Sequence, residues 1–364
     1  MSLKSPFLSR SDYLKLPVQE RFKRTIELSG SEEERAKQLH KKLIAIDLHT
    51  HITTHHEESG WEKDRERLKT SGLTCVLEAL DHLLNPAEDF QVSLEQIGAT
   101  CTLIRQTPGF CLALSADDIR QAKRDGKEAL MLQLEPQTLG PVANRVDIAY
   151  DLGIRCMLLT FNTRNFLGDG CGERTDSGLS HLGLDVVERM NKVGMLIDLS
   201  HCGEKTAMDA IEASKDPVLI NHAGARALYP NMMRLKTDEQ IHALAEKGGV
   251  IGISAIPNQL SNAKRQGIHD LLNHVDYVLK LVGVDHVAIG LDIHFDDHVA
   301  FHRKLQTIMK GTGQQLNAEY MEGLENPEEW PNITRGLISR GYSDQEIEKI
   351  IGGNALRIIE RVIR

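Results

Sequence analysis

Two histidines one residue apart, His49 and His51, close a short apolar run from Leu43 to Leu48 that only Asp47 interrupts. A run of that length fits a buried strand. Alternate residues of an extended chain point to the same side, so the two imidazoles can aim at one point. Convergent imidazoles at a strand exit can begin a divalent metal site. An isolated His-x-His is as readily a pair of surface side chains. The same chemistry recurs further on, each time at the end of an apolar segment. Ala129 to Leu134 stops at Glu135, Met195 to Leu199 at Ser200-His201, Pro217 to Ile220 at Asn221-His222, and His286 to Gly290 at Leu291-Asp292. Taken singly, each has an ordinary reading as a loop carboxylate or a helix cap. Taken together, that reading requires five separate strand ends to carry metal-ligand types by accident.

The elements that must position these residues alternate along the chain. Strands are expected to begin near residues 43, 72, 129, 154, 195, 217, 250 and 286, with helical periodicity between them. Strands separated by helices pair in parallel, and eight such units make an α/β protein of the (β/α)8 TIM-barrel class. In that barrel every strand C-terminus opens onto one face, which gathers residues far apart in sequence. Residues 11–42 read as exposed helix, so 1–42 is expected to be a helical N-terminal extension. Ser31 before Glu32-Glu33-Glu34 suits an N-cap. Ser93 and Gln96 stand at capping-box spacing, and Ser115 opens another helix. A polar segment from His55 to Ser71 is expected to be a loop or helix over the barrel mouth. With no Pro/Gly-rich linker, 1–364 is read as a single domain.

Composition bounds the function. The 364 residues carry 41% hydrophobic and 26% charged side chains, an ordinary globular balance. A net charge of −9 argues against a nucleic-acid partner, because no basic face is evident to neutralise phosphates. The six cysteines are scattered with no Cys-x-x-Cys pair, which fits reduced thiols in the cytoplasm. No stretch has the signal-peptide pattern or the apolar length of a membrane span, so no membrane association is expected. Sixteen histidines make metal chemistry worth pursuing.

Many binuclear hydrolases of this barrel bridge their metals with a carboxylated lysine after the fourth strand. Here Leu159-Thr160-Phe161-Asn162-Thr163-Arg164 offers none, which leaves Glu135 as the bridging carboxylate. The chain resembles the membrane dipeptidase (renal dipeptidase) family of zinc peptidases, within the amidohydrolase superfamily, from about Ala45 to the C-terminus. The resemblance is carried by Asp47-Leu48-His49-x-His51, Leu134-Glu135, Leu159-Thr160-Phe161-Asn162, Gly168-Asp169-Gly170 and Ile197-Asp198-Leu199-Ser200-His201. Asn221-His222-Ala223, Gly290-Leu291-Asp292 and the tail Arg340-Gly341-Tyr342-Ser343 … Ile351-Gly352-Gly353-Asn354 extend it.

The resemblance implies two divalent metal ions, zinc, with His49 and His51 on one, His201 and His222 on the other, and Glu135 bridging. It implies a catalytic role for Asp292 and a substrate-binding role for Arg234. Two departures stand out. The family carries His-x-Asp where this chain has His51, which raises the positive charge of that metal site. Phe161 stands where dipeptidases of the family carry a carbonyl-polarising histidine, with Asn162 and Arg164 nearby as substitutes. The expected activity is amide hydrolysis of a dipeptide-like small molecule by a metal-bridging hydroxide, in a possible homodimer. The competing readings are lactone, cyclic-amide or phosphoester hydrolysis at the same site, or a barrel without catalysis that serves as a binding protein.

Overall fold

The computed structural model describes residues 7–53, 60–80, 89–135, 140–294, 300, 303, 310–315 and 317–364. Eight parallel strands form the barrel: β1 (Ile46–His51), β2 (Cys75–Leu80), β3 (Glu128–Leu134), β4 (Ile154–Leu158), β5 (Leu196–Asp198), β6 (Leu219–Ala223), β7 (Val250–Ile253) and β8 (Val287–Ile289). They follow one another around the sheet in chain order. The ring closes where β1 pairs with Ile293–His294, immediately beyond β8, with Thr50 opposite Ile293. All eight expected strands are present, including the weakly patterned second one. A short strand, Phe110–Leu112, also pairs with the start of β3; its apolar run is too short to read from sequence.

Residues of alternate parity fill the barrel interior, among them Ile46, Leu48, Cys75, Leu77, Ala129, Met131 and Leu219. The C-terminal helix Asn354–Val362 joins this cluster through Ala355, Ile358, Ile359 and Val362. The opposite parity, for example Leu130, Leu132 and Leu134 of β3, packs outward into the larger cluster shared with the surrounding helices. From the third layer of β3 onward the interior turns polar, because Gln133 and Glu135 continue the inward register of Ala129 and Met131.

The N-terminal extension consists of helices Arg10–Leu14, Val18–Thr25 and Gly30–Lys42. The last begins at a capping box of Ser29 and Glu32, not at Ser31. Ser29 is the residue with an extended backbone and a glutamate three positions on, so it takes the cap while Ser31 lies inside the first turn. Ser93 is likewise no cap: its helix runs from Asp89 to Gln106 and buries it. Ser115 caps Ala116–Asp125 as expected, and Trp61–Ser71 is a helix; residues 54–59 of that polar segment lie outside the described residues. The extension is fastened by ion pairs to a segment before the helix Pro331–Ser339. Arg10 meets Glu325, Arg21 meets Glu328 and Glu329, and the Tyr13 hydroxyl donates to Glu329.

Candidate active site

His49, His51, Glu135, His201, His222 and Asp292 all lie on the C-terminal face of the barrel, and all are buried. Between Asp47 and Thr50, β1 carries one more residue than its partner from Val76 to Glu78. This bulge re-aims the strand. Before it Ile46 and Leu48 face the interior; after it His49 and His51 do. Their Nε2 atoms stand 3.3 Å apart. Asp292 reaches into the same space, with Oδ1 3.5 Å from His49 Nε2 and 3.6 Å from His51 Nε2, and Oδ2 3.6 Å from His222 Nε2. Glu135 Oε1 lies 3.7 Å from His49 Nε2. Asp292 has a left-handed backbone, φ 58°, that few non-glycine residues adopt. Its N–H donates to the His49 carbonyl at 2.9 Å, so the unusual turn is held by β1 itself.

His201 and His222 form the other half, with Nε2 atoms 2.9 Å apart. His201 Nδ1 is 2.7 Å from Asn162 Oδ1, and His222 Nδ1 is 2.5 Å from Asn221 Oδ1. An amide oxygen only accepts, so each ring donates from Nδ1 and presents an Nε2 lone pair. Burial, together with His49, Arg234 and the other imidazoles, holds His222 far below its usual range, so that ring is neutral. Two converging lone pairs at this distance repel unless a cation lies between them. The donor set therefore fits a divalent ion: imidazoles and carboxylates, buried, with ring orientation fixed from behind. His49, His51 and Asp292 alone place three ligand atoms within 4.8 Å of one another.

Three sequence-selected residues stand differently. Arg234 is buried directly behind the site, its two terminal nitrogens donating to the carbonyls of Ser200, at 2.5 Å, and His222, at 2.7 Å. Asn162 serves His201, as above. Arg164 is turned away: its side chain is 54% exposed and pairs with Asp169. Phe161 lays its ring on the other face of His201, 4.0 Å between centroids.

Several residues that hold the site carried no assigned role in the sequence. Asp47 Oδ1 accepts from the N–H groups of Leu291 (2.9 Å) and His49 (3.2 Å), and Oδ2 from Trp330 Nε1 (2.9 Å). Burial pushes Asp47 up to about 7 against these three donors. Glu78 accepts from the N–H groups of Ile52 and Thr53 just past His51. Asp198 Oδ1 accepts from the N–H groups of Ser200 and Asn221 and from the Ser200 hydroxyl. For Asp47 and Asp198 the available signal was a carboxylate inside an apolar run, two or three residues before a histidine; Glu78 had none.

A parallel eight-stranded barrel that gathers imidazoles and carboxylates at its strand ends has the architecture of the amidohydrolase superfamily. The family model described as "Membrane dipeptidase (Peptidase family M19)" matches residues 33–310 and 311–364, and the chain belongs to that family. It is 31% identical over 256 residues to dipeptidase tcpJ of Claviceps purpurea (strain 20.1), covering 69% of this chain and 55% of that protein. It is 26% identical over 279 residues to dipeptidase 3 of Rattus norvegicus, covering 75% and 52%. The chain thus spans about half the length of these curated relatives. Among solved structures, an amidohydrolase from Pseudomonas aeruginosa superposes with a TM-score of 0.80 at 29% identity, over 90% of this chain and 99% of that one. The probable dipeptidase PvdM from the same organism superposes at 0.78 and 22% identity, over 92% and 99%, a likeness of fold.

Proposed function

We propose that this chain is a metal-dependent hydrolase that cleaves the amide bond of dipeptides or similarly small acylated amino acids. The observation that carries the reading is the convergence of four buried imidazoles with Glu135 and Asp292 at one end of the barrel. His49, His51, Glu135, His201 and His222 would hold two divalent ions, zinc in this reading, with Glu135 between them. Such ions, when bound, supply Lewis acidity and a water acidic enough to ionise near neutral pH. Asp292, whose two oxygens face three histidines, takes the proton of the attacking water and delivers it to the leaving amine. Arg234 commits two nitrogens to backbone carbonyls and keeps Nε, which has no hydrogen-bond partner among the described residues, for the carboxylate of a substrate. Asn162 acts through His201. The Phe161 ring gives the pocket an apolar wall on the His201 side, which favours an apolar side chain in the substrate.

Among the described residues no helix is long and apolar enough to cross a membrane; a cytoplasmic location and a homodimer complete the reading. Metal analysis, light scattering and a panel of dipeptides, N-acyl amino acids, lactones and phosphotriesters with added zinc test it. Close to two ions per chain and turnover confined to the amides support it; no bound metal, or turnover of lactones or phosphotriesters alone, would overturn it. Asp292→Asn is expected to lose turnover by at least about a hundredfold while the protein still binds metal. Retained turnover would remove Asp292 from its role.

A further inference from the structure

Beneath the strand ends two buried cations stand side by side. The segment that carries Arg234 runs along the residues after β6. Lys236 N–H donates to the Gly224 carbonyl at 2.9 Å, Arg226 N–H donates to the Lys236 carbonyl at 2.8 Å, and Ala225 bridges Lys236 in parallel. Residues two apart on an extended segment point the same way, so Arg234 and Lys236 send their side chains to one side. Arg234 donates to the carbonyls of Ser200 and His222, and Lys236 Nζ donates to the Cys202 carbonyl at 3.0 Å. The carbonyls before and after His201 are thus each held by a cation. Arg234 is 2% exposed and Lys236 1%.

These charges lack a counter-charge at close range. Among the described residues no carboxylate forms an ion pair with either side chain. The carboxylate that bears on both is Asp198. Its Oδ1 is occupied by the N–H groups of Ser200 and Asn221 and by the Ser200 hydroxyl, and burial pushes it up to about 6. The thiols beside Lys236, Cys171 and Cys202, are pushed up by burial and carry no charge. Burial and Arg234 bring Lys236 down to about 8, which leaves it a cation at neutral pH. Glu135 and Asp292 bear on Arg234 as well, but both face the histidines. A strut to one carbonyl needs only a neutral donor, whereas a buried cation without a partner is costly. The charge therefore has a use beyond holding Cys202.

We propose that Lys236 is a specificity-determining residue: with Arg234 it makes a two-cation field behind His201 and His222 that selects substrates ending in a carboxylate over the same compounds ending in a neutral amide. The proposal rests on the reading above, in which Arg234 Nε meets that carboxylate. With both terminal nitrogens of Arg234 committed to the backbone, a single N–H remains for the substrate, and one hydrogen bond separates an acid from an amide poorly. Lys236 touches no substrate. Its ammonium stays on the Cys202 carbonyl and acts through its charge across a low-dielectric interior.

The test compares dipeptides and N-acyl amino acids with their C-terminal amides. Turnover is followed in the zinc-loaded enzyme, and binding by calorimetry in Asp292→Asn. The wild type should favour the acid by at least about tenfold in kcat/KM and in affinity. Lys236→Met removes charge and strut, Lys236→Gln removes the charge but keeps a donor, and Lys236→Arg keeps the charge. In the Met and Gln variants the acid-to-amide ratio should fall by roughly tenfold, the scale of one charge interaction at an effective dielectric of about 20, and the change should lie in KM. Lys236→Arg should retain the ratio. Equal losses for acid and amide in Lys236→Met, restored by Lys236→Gln, would make Lys236 a strut alone and overturn the field. A wild type that turns over acids and amides alike would also overturn it and leave the hydrolase reading standing. No turnover and no binding by any form would overturn both.

Discussion

Replacing Asp47 by asparagine tests how the barrel holds the face that carries the candidate site, because the change alters a single atom and almost no volume. Asp47 receives three donors: Leu291 N–H at 2.9 Å, His49 N–H at 3.2 Å and Trp330 Nε1–H at 2.9 Å. An asparagine can offer one oxygen. Turned to keep the two backbone groups, it sets its own NH2 against the indole N–H, leaving two buried donors without acceptors. Turned the other way, it loses both backbone bonds. Each unsatisfied buried group costs about 1–3 kcal/mol, and relief from burying a charge returns part of that. Asp47→Asn should therefore destabilise the metal-free protein by about 2–4 kcal/mol in denaturant unfolding. Trp330→Phe in the same chain removes one of the opposed donors, so the double variant should be less unstable than the sum of the singles by about 1–2 kcal/mol. Turnover should fall as well, because Leu291 positions the left-handed turn at Asp292. A loss below about 0.5 kcal/mol, or a strictly additive pair, would refute the role given to this carboxylate.

The other expectations concern the periphery. Arg164→Ala should leave turnover within about twofold, since its exposed guanidinium is occupied by Asp169; steady-state kinetics decide, and a larger loss would return Arg164 to the site. Burial lifts Glu325 up to about 7 and Glu329 up to about 6, against an ordinary value of 4.5, even with Arg10, Arg21 and Tyr13 beside them. The folded chain then holds protons that the unfolded chain releases. Their contribution to stability is complete below about pH 4.5 and is lost as the pH rises through about 6 to 7. Unfolding midpoints should fall between about pH 5 and pH 8, and the slope should flatten in Glu325→Gln/Glu329→Gln; an unchanged slope in that variant would count against it.

The strand ends were legible because two signals coincide there: an apolar run short enough to be a strand, and a ligand-type side chain where it stops. Barrel topology did the rest, bringing His49, Glu135, His201, His222 and Asp292 to one face. What could not be read depends on contacts without a local pattern. The β1 bulge is defined only by pairing with β2, so alternation alone cannot say that the inward parity changes between Leu48 and His49. Trp330 meets Asp47 across 283 positions of sequence. Gln133 reads as a blemish in an apolar strand until the barrel places it between His49 and Asn221. Arg234 follows His222 closely enough to suggest a substrate contact, yet its packing under the strand ends turns two of its nitrogens to the backbone.

The two halves of the site are built by one device used twice. Asp47 Oδ1 accepts from the N–H two residues on, at 3.2 Å, and from the N–H of Leu291 on the adjoining strand end, at 2.9 Å. Asp198 Oδ1 accepts from the N–H two residues on, at 3.2 Å, and from the N–H of Asn221 on the neighbouring strand, at 2.9 Å. In both cases the second donor immediately precedes a site residue, Asp292 or His222, and the first is a site histidine or immediately precedes one, His49 itself or Ser200 before His201. Each carboxylate thus clamps two strand ends by their backbones, at the point where the ladder bonds run out and the side chains must turn inward. Clamps of this kind are made entirely by the chain and need no ion to form. The backbone on either side of each histidine is consequently held by carboxylates of the chain itself.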